Sequence, residues 1–219
     1  KELSENNIVT IQPDSLRILH NPLTGWVLYA SMGVDAADFW AQYDHMYIPE
    51  LGHNVSVTDY AHTLYIRASW TDFNPQEDVY GWKIDSNLRA YIEGAYQRNM
   101  RLAFRVVVDS RDKRTEFTPQ FVKDAGAKGF MNKGKWSPYS DDPVFQKYYT
   151  KFVKALAKDF NDPSKVEFID GFGLGKWGEY HTMIYSTGDD TPKKAVFNWV
   201  TDIYSQAFDK VPVVINYHR

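Results

Sequence analysis

The sequence predicts an α/β protein built on a parallel β-sheet, and three observations support that prediction. Short apolar runs recur along the chain, each run is nearly continuous rather than alternating in hydrophobicity, and segments with helical periodicity lie between the runs. Strands that are buried on both faces have this continuous pattern. A repeated β-α order gives a parallel sheet with right-handed crossovers. Two architectures fit this order, a doubly wound open sheet and a (β/α)8 barrel.

Five segments have the apolar, β-branched or aromatic composition of a buried strand. The predicted strands are residues 25–30, 62–68, 101–108, 166–172 and 211–217. Pro212 lies near the start of the last segment, where a strand tolerates a residue without a backbone N–H group.

The first two helices are predicted after the first and second strands. Residues 36–45 can hold a short helix, and Asp85 or Ser86 can cap a longer one that runs to about Met100. The second helix carries an apolar stripe with the helical period, formed by Leu88, Tyr91, Ile92 and Ala95.

Two further helices are predicted to start where an N-cap residue with a side-chain oxygen is followed by proline, a pattern typical of helix N-termini. These pairs are residues 142–143 (Asp-Pro) and residues 191–192 (Thr-Pro). The third helix, behind a long polar loop, has its stripe at Phe145, Tyr148, Phe152, Leu156 and Phe160. The fourth has its stripe at Val196, Trp199, Ile203, Ala207 and Phe208.

The turn after the first strand argues against a nucleotide-binding protein. A doubly wound fold usually carries a glycine-rich phosphate turn at this position. Residues 31–35 read Ser-Met-Gly-Val-Asp and contain neither GxGxxG nor a Walker pattern. The sequence therefore predicts no nucleotide cofactor.

Composition excludes several classes of function. The 219 residues contain no cysteine, so thiol catalysis, cysteine-ligated zinc and iron–sulfur clusters are excluded. The formal net charge of −3 argues against a nucleic-acid partner. No apolar run approaches the roughly 20 residues of a membrane span, and we expect one domain over residues 1–219.

Chemically active side chains follow the predicted strands, where both parallel architectures place their functional groups. Because the carboxyl ends of parallel strands lie on the same side of a sheet, we expect these side chains to form one site. The aromatic fraction of 16% fits either a sugar-binding cleft or a core built from large rings. The candidates are Arg67, Trp70, Asp72, Asp109, Trp177, Glu179, His181, Tyr217 and His218.

Glu179 is the strongest catalytic candidate. It follows a glycine-rich strand end and lies between Trp177 and Tyr180. Aromatic neighbours would exclude water and raise the pKa of a carboxyl, which makes a general acid at neutral pH. The alternative is that Glu179 caps the next segment or pairs with Lys176 at the surface.

Residues 65–82 resemble a passage of retaining glycoside hydrolases with (β/α)8 barrels, in particular the family-42 β-galactosidases and their clan relatives. The shared features are Arg67, Trp70, Pro75 and the run from Tyr80 to Trp82. The resemblance implies a (β/α)8 TIM barrel of which about the first five strands and four helices are present. It also implies an oligosaccharide or glycoside substrate and no cofactor.

The resemblance implies roles for individual residues. Glu179 stands where the clan has its acid/base, although Gly178 replaces the usual preceding asparagine. Arg67 resembles the strand-two arginine that supports the catalytic carboxylates. The motif from Trp177 to His181 resembles glycosidase-like families of secreted bacterial proteins, so we expect a secreted, periplasmic or cell-surface location, with the polar start left after signal-peptide removal.

A retaining glycosidase needs a second carboxyl about 5–5.5 Å from the first. The clan places that nucleophile at the end of strand seven, which implies a position beyond this chain. Asp72, Asp109 and Asp170 are the acids available here, and Asp170 is predicted to lie mid-strand and to be structural. Glu179 and His181 alone do not indicate a metal site.

Three hypotheses for the function remain open. The first is a glycoside hydrolase barrel whose other strands lie outside this chain, since a complete barrel takes about 250 residues. The second is a non-catalytic carbohydrate-binding protein on a degenerate glycosidase barrel. The third is an open α/β domain with a structural role. An incomplete barrel exposes strand edges and apolar interior, so it predicts self-association.

Overall fold

A computed structural model describes residues 25–30, 32–111 and 115–215. Sixteen named elements and one short 3-10 helix (Val57–Asp59) follow one another along the chain. In order they are β1 (Trp26–Ala30), α1 (Ala36–Asp44), β2 (Met46–Ile48), β3 (His53–Val55), β4 (Ala61–Ser69), α2 (Trp70–Phe73), α3 (Gly81–Ile84), α4 (Ser86–Gln97), β5 (Arg101–Val107), α5 (Gln120–Asp124), β6 (Gly129–Asn132), β7 (Lys135–Pro138), α6 (Pro143–Phe160), β8 (Val166–Asp170), α7 (Lys193–Ala207) and β9 (Val213–Val214).

The central sheet has the order β1-β4-β5-β8-β9, and every neighbouring pair is parallel. Each new strand is therefore added to the same side of the previous one. A doubly wound sheet instead reverses its strand order at a switch point. The order confirms the predicted fold class, an α/β sheet with the topology of a partial (β/α)8 barrel.

The strands begin close to where the apolar pattern predicts them, but two of them are shorter. β8 ends at Asp170 because the chain then leaves the sheet and turns at Gly173, where φ is +68°. β9 comprises Val213–Val214. The predicted strand residues 216 and 217 lie outside the described residues.

The predicted caps are confirmed for two of the long helices. The Asp85 carboxylate accepts a hydrogen bond from the Leu88 N–H group at 2.6 Å, and Asp142 accepts from Phe145 N–H at 2.8 Å. The prediction of a Thr191 cap is wrong. Helix α7 begins at Lys193, one residue later than predicted, because the Thr191 N–H group donates to the Asp189 carboxylate at 3.0 Å in a preceding turn.

Two β-hairpins interrupt the β/α order and were not predicted. β2 pairs with β3, and β6 pairs with β7, both antiparallel. Strands of three or four residues are too short to carry a recognisable hydrophobic pattern. The second hairpin does have a local signal, since its two-residue loop, Lys133-Gly134, has φ values of 49° and 76°. Positive φ at both positions suits a tight hairpin turn.

The hydrophobic core lies between the sheet and the long helices, and Trp70 is at its centre. The Trp70 side chain is fully buried, with its ring centroid 5.2 Å from Tyr149, 5.7 Å from Phe152 and 6.0 Å from Phe145. These three rings belong to α6. The prediction that Trp70 contacts a substrate is therefore wrong, because the ring packs against the helical layer and not at the strand ends.

Candidate functional site

An open cavity of about 340 Å³ lies on the sheet face opposite the helices. Residues of β1, β4 and β5 form its floor, and the segment after β8 forms one wall. Its lining residues are Tyr29, Tyr65, Arg67, Arg105, Trp177 and Glu179. Three of the predicted site residues, Arg67, Trp177 and Glu179, are thus brought together.

The alternation of side chains along the strands positions the cavity floor. Tyr65 and Arg67 are two residues apart on β4, so they share a face, whereas Leu64 and Ile66 between and beside them are buried in the core. In the parallel register, Arg67 lies opposite Arg105 of β5. Two guanidinium groups therefore stand side by side on the inner face, near the carboxyl ends of their strands.

The segment after β8 is folded into consecutive tight turns that bring Glu179 back over the sheet. Trp177, Gly178 and Tyr180 have φ values of 62°, 74° and 56°. The Tyr180 N–H group donates to the carbonyl of Leu174 at 2.9 Å, which closes the segment on itself. Positive φ is rare for bulky residues and costs about 1–3 kcal/mol each. Such strain is concentrated at functional sites, so this segment is a candidate for one.

Glycine is required at one of these turns by a close approach as well as by its conformation. A Cβ atom at Gly173 would lie 2.5 Å from the carbonyl oxygen of Val106. The close approach lets Val108 N–H donate to the Gly173 carbonyl at 3.0 Å. The segment is therefore anchored to the end of β5, next to Arg105.

The Glu179 carboxylate is held by Arg105. Nη1 of Arg105 donates to Oε1 of Glu179 at 2.9 Å, and Oε2 lies 3.8 Å from Nε2 of His181. The Glu179 side chain is 33% exposed. Arg105 on β5 therefore fixes the position of the Glu179 side chain, whereas the residues next to Glu179 in the sequence do not.

The prediction that aromatic neighbours enclose Glu179 is wrong. Trp177 is 41% exposed and stands at the rim of the cavity. Tyr180 points the other way, because its hydroxyl donates to the Lys193 carbonyl at 2.9 Å and its ring packs 5.0 Å from Phe172. Burial raises the pKa of Tyr180, so its hydroxyl stays a neutral donor.

Asp170 is the last residue of β8 and is buried, with 7% of the residue exposed. Its Oδ2 accepts hydrogen bonds from Nε of Arg105 at 2.6 Å and from the Tyr65 hydroxyl at 3.4 Å. Burial raises the pKa of Asp170, although the Arg105 charge opposes this. The pKa of Tyr65 is also raised, first by burial and then by the Asp170 charge. The prediction of a mid-strand position is corrected, since Asp170 ends its strand beside the cavity.

Arg67 binds the backbone of the site segment. Its Nη2 donates to the Trp177 carbonyl at 2.9 Å, and its Nη1 lies 3.4 Å from the Tyr29 hydroxyl. Within the described part of the chain, Arg67 forms no ion pair. It therefore orders the rim of the cavity and still carries a positive charge that no described carboxylate neutralises.

Asp109 is a structural residue and not a substrate contact. It is 6% exposed, and its two oxygens accept from the Arg111 backbone N–H at 2.8 Å and from Arg111 Nε at 2.7 Å. Nη2 of Arg111 then donates to the Thr182 carbonyl at 2.5 Å. The predicted contact with substrate is wrong because the carboxylate is consumed by this link, which ties the loop after β5 to the Glu179 segment.

Asp72 also has a local role. Its Oδ2 accepts from the Ser69 N–H group at 3.0 Å, and its own N–H donates to the Ser69 hydroxyl at 2.9 Å. This reciprocal capping box starts helix α2. Asp72 does not line the cavity, so its predicted role in binding substrate is not supported by its position.

The remaining candidates lie at the rim or outside the described residues. His181 stands beside Trp177, with ring centroids 5.4 Å apart, and its Nδ1 lies 2.8 Å from the Thr182 hydroxyl. Tyr217 and His218 lie outside the described residues.

Sequence reasoning missed Tyr29, Tyr65 and Arg105. Arg105 stood within a predicted buried strand, and a charge in such a strand needs a partner. Because side chains alternate between the two faces of a strand, the predicted strands also indicate on which face of the sheet Tyr65, Arg67 and Arg105 lie. These signals were present in the sequence.

The described residues hold neither a cluster of metal-binding side chains nor a membrane-spanning helix. Residues 25–30, 32–111 and 115–215 contain no group of three or more His, Asp or Glu side chains arranged to hold a metal ion. Within the same ranges, no helix has the length and apolar character needed to cross a membrane.

Comparison with known proteins shows the fold. No protein-family model and no curated protein matches the sequence significantly. The exo-β-1,4-mannosidase Op5Man5 from Opitutaceae bacterium strain TAV5 has a TM-score of 0.54 at 15% identity, over 86% of this chain and 31% of that protein. GH5_18 from Streptomyces cattleya, in complex with GlcNAc, has a TM-score of 0.50 at 14% identity, over 83% of this chain and 41% of that protein.

The chain therefore spans less than half the length of these structures. They are glycoside hydrolases of the TIM-barrel type. At such low identity, the likeness shows a common fold. The chain thus has the fold of part of a TIM barrel, the fold of these glycoside hydrolases, with a cavity at the strand ends, where such barrels carry their active sites.

Proposed function

We propose that this chain is part of a glycoside hydrolase in which Glu179 is the general acid/base of a retaining reaction. One observation carries the proposal. The Glu179 carboxylate lies in an open cavity at the carboxyl ends of parallel strands, beside two arginines, in a fold shared with TIM-barrel glycosidases.

The geometry supports different roles for the two carboxylate oxygens of Glu179. Oε1 is occupied by Arg105, and Oε2 is the oxygen left to meet a glycosidic oxygen. In the first step, protonated Glu179 gives its proton to the leaving-group oxygen, and in the second it removes a proton from the attacking water. The exposed rings of Trp177 at the rim and of Tyr29 on the floor offer flat apolar faces to a sugar.

The nucleophile is proposed to lie on a part of the protein outside this sequence. Asp170, Asp109 and Asp72 are each engaged by other groups, and Glu179 is the one carboxyl among the described residues that lines the cavity. The structural neighbours are more than twice the length of this chain. Arg67 forms no ion pair with the described residues, so its charge on the cavity floor suits a further carboxylate there.

The resemblance of residues 65–82 to family-42 enzymes makes a β-galactoside the first substrate to test. A secreted or cell-surface location, implied by the resemblance of the motif from Trp177 to His181, belongs to the same proposal. The substrate panel should nevertheless cover aryl galactosides, glucosides, mannosides and xylosides, because the fold alone does not select among them.

The test is the hydrolysis of this panel by the full-length protein and its Glu179→Gln variant. For aryl glycosides whose phenol is a poor leaving group, we expect kcat/KM to fall at least about 100-fold, because a general acid contributes roughly that factor or more. Glu93→Gln is the matched control, since Glu93 is exposed on α4 and pairs with Arg89. Full activity of Glu179→Gln would contradict the proposal.

A second candidate is a protein that binds carbohydrate without cleaving it. It is favoured by the engagement of Asp170, Asp109 and Asp72, which leaves Glu179 as the single cavity carboxyl in the described residues. This function predicts that the full-length protein binds oligosaccharides by calorimetry but releases no aglycone from any panel member.

A further inference from the structure

Two carboxyl groups share one guanidinium group at the edge of the cavity. Arg105 uses Nε and Nη2 for Oδ2 of Asp170, at 2.6 Å and 2.5 Å, and Nη1 for Oε1 of Glu179, at 2.9 Å. All three donor atoms that face these acids are thus occupied. The arginine is fixed from the side of β8 and presents an N–H group of Nη1 to Glu179.

The three groups differ strongly in exposure. The side chain of Asp170 is 9% exposed and that of Arg105 17%, whereas that of Glu179 is 33% exposed. Asp170 is therefore nearly buried, and it does not line the cavity. It can influence Glu179 through the charge and position of Arg105.

Among the described residues, few other charged and titratable groups surround this pair. Tyr65 of β4 faces Asp170, while Tyr149 of α6 and Tyr204 of α7 are close enough to feel its charge. His181 faces Glu179, and Arg67 lies beside Arg105 in the register. Burial raises the pKa of all three tyrosines, so they stay neutral over the working range.

We propose that Asp170 is a positioning residue that compensates the charge of Arg105, so that Glu179 can hold a proton as well as release it. When Asp170 and Glu179 are both ionised, these two acids and Arg105 together carry a net charge of −1. Adding a proton to Glu179 brings this net charge to zero. Without the Asp170 charge, Arg105 and ionised Glu179 already balance, and protonation would leave a net positive charge. The acid function of Glu179 in this inference rests on the proposed function, whereas the charge coupling does not.

The test is a ¹³C NMR titration of the glutamate side-chain carboxyls in the full-length protein. Glu179→Gln identifies the Glu179 signal by its disappearance. Asp170→Asn keeps acceptor capacity for Arg105 but removes the charge, so we expect the titration midpoint of Glu179 at a pH about one unit lower than in the parent. An unchanged or higher midpoint overturns the proposal.

Arg105→Gln provides a second, opposite readout in case Asp170→Asn does not fold by circular dichroism. Loss of the cation should move the Glu179 midpoint to higher pH, and an unchanged or lower midpoint overturns the proposal. Asp72→Asn is the matched control, because it removes a carboxylate of α2 that does not line the cavity. A merely structural role of Asp170 does not predict shifts of opposite sign.

This measurement also separates the inference from the proposed function. The titration needs no substrate, so a protein that hydrolyses no glycoside can still show the predicted coupling. Conversely, the protein can be active while the Glu179 titration midpoint is the same in Asp170→Asn as in the parent. The proposed function then stands and this inference is overturned.

Discussion

Two tryptophans that looked equivalent as sugar contacts occupy opposite environments. Trp70 is fully buried among the rings of α6, and Trp177 is 41% exposed at the cavity rim. Both follow a strand in the sequence, but Trp70 opens the short helix α2, which turns its ring back toward the helical layer. Their side chains therefore contribute to different properties of the protein.

Substituting each tryptophan by alanine separates these properties. We expect Trp70→Ala to lower the free energy of unfolding by about 3–5 kcal/mol, since a buried ring leaves a cavity. Trp177→Ala should cost less than about 1 kcal/mol and should weaken oligosaccharide binding. Urea denaturation and calorimetric titration measure both quantities. Equal losses of stability in the two variants would contradict the assignment.

Arg105 shows what could be predicted for a single residue. A guanidinium group in an apolar run needs buried carboxylate partners, so the sequence indicates that partners exist. It does not identify them, because Asp170 lies 65 and Glu179 74 residues further along the chain. The pairing depends on strand order and on the turns after β8.

Helices α1 and α4 are joined at their carboxyl ends by an ion pair. Nε of Arg98 donates to Oδ1 of Asp44 at 2.8 Å, and the guanidinium lies 4.4 Å from the centre of the Trp40 ring. The hydrogen bond from Arg98 is the largest cause that lowers the pKa of Asp44. This link holds the first β/α unit against the second.

The link predicts a dependence of stability on pH. The pKa of Asp44 is lower in the folded than in the unfolded chain, so its contribution is present above about pH 4 and is lost as the pH falls further. Asp44→Asn should therefore be about 1 kcal/mol less stable than the parent at pH 7. In urea denaturation, that difference should be smaller at pH 3 than at pH 7.

The control for this pair is Asp202→Asn, an exposed position on α7. Its unfolding free energy should follow that of the parent at both pH values. A difference between Asp44→Asn and the parent that grows on acidification would contradict the ion-pair account.

Elements with a strong local signal were predictable, and those without one were not. Asp85 and Asp142 cap their helices because an acceptor precedes a long apolar stripe. The hairpin β2-β3 has three-residue strands, too short for a period to be recognised. The start of α7 was misplaced because Thr191 is held in a turn with Asp189, a competition that a cap motif does not reveal.

At the scale of the whole molecule, the strand order determines where the chemistry lies. A sheet that grows in one direction brings the ends of β1, β4 and β5 next to the segment after β8, and the cavity forms where they meet. The sequence predicted this face and placed Glu179, Arg67 and Trp177 on it. The sequence could not exclude Asp72 and Asp109 from the site, because the contacts of their carboxylates with Ser69 and Arg111 are seen only in the structure.

The central claim is that Glu179 donates a proton to a departing group, and the dependence on the leaving group tests it most directly. The measurement compares kcat/KM of the full-length parent and Glu179→Gln over aryl glycosides whose phenols differ in acidity. A good leaving group needs no general acid. The loss in Glu179→Gln should therefore be small for dinitrophenyl glycosides and should grow as the phenol becomes less acidic. An equal loss across the series, or none, would contradict the claim.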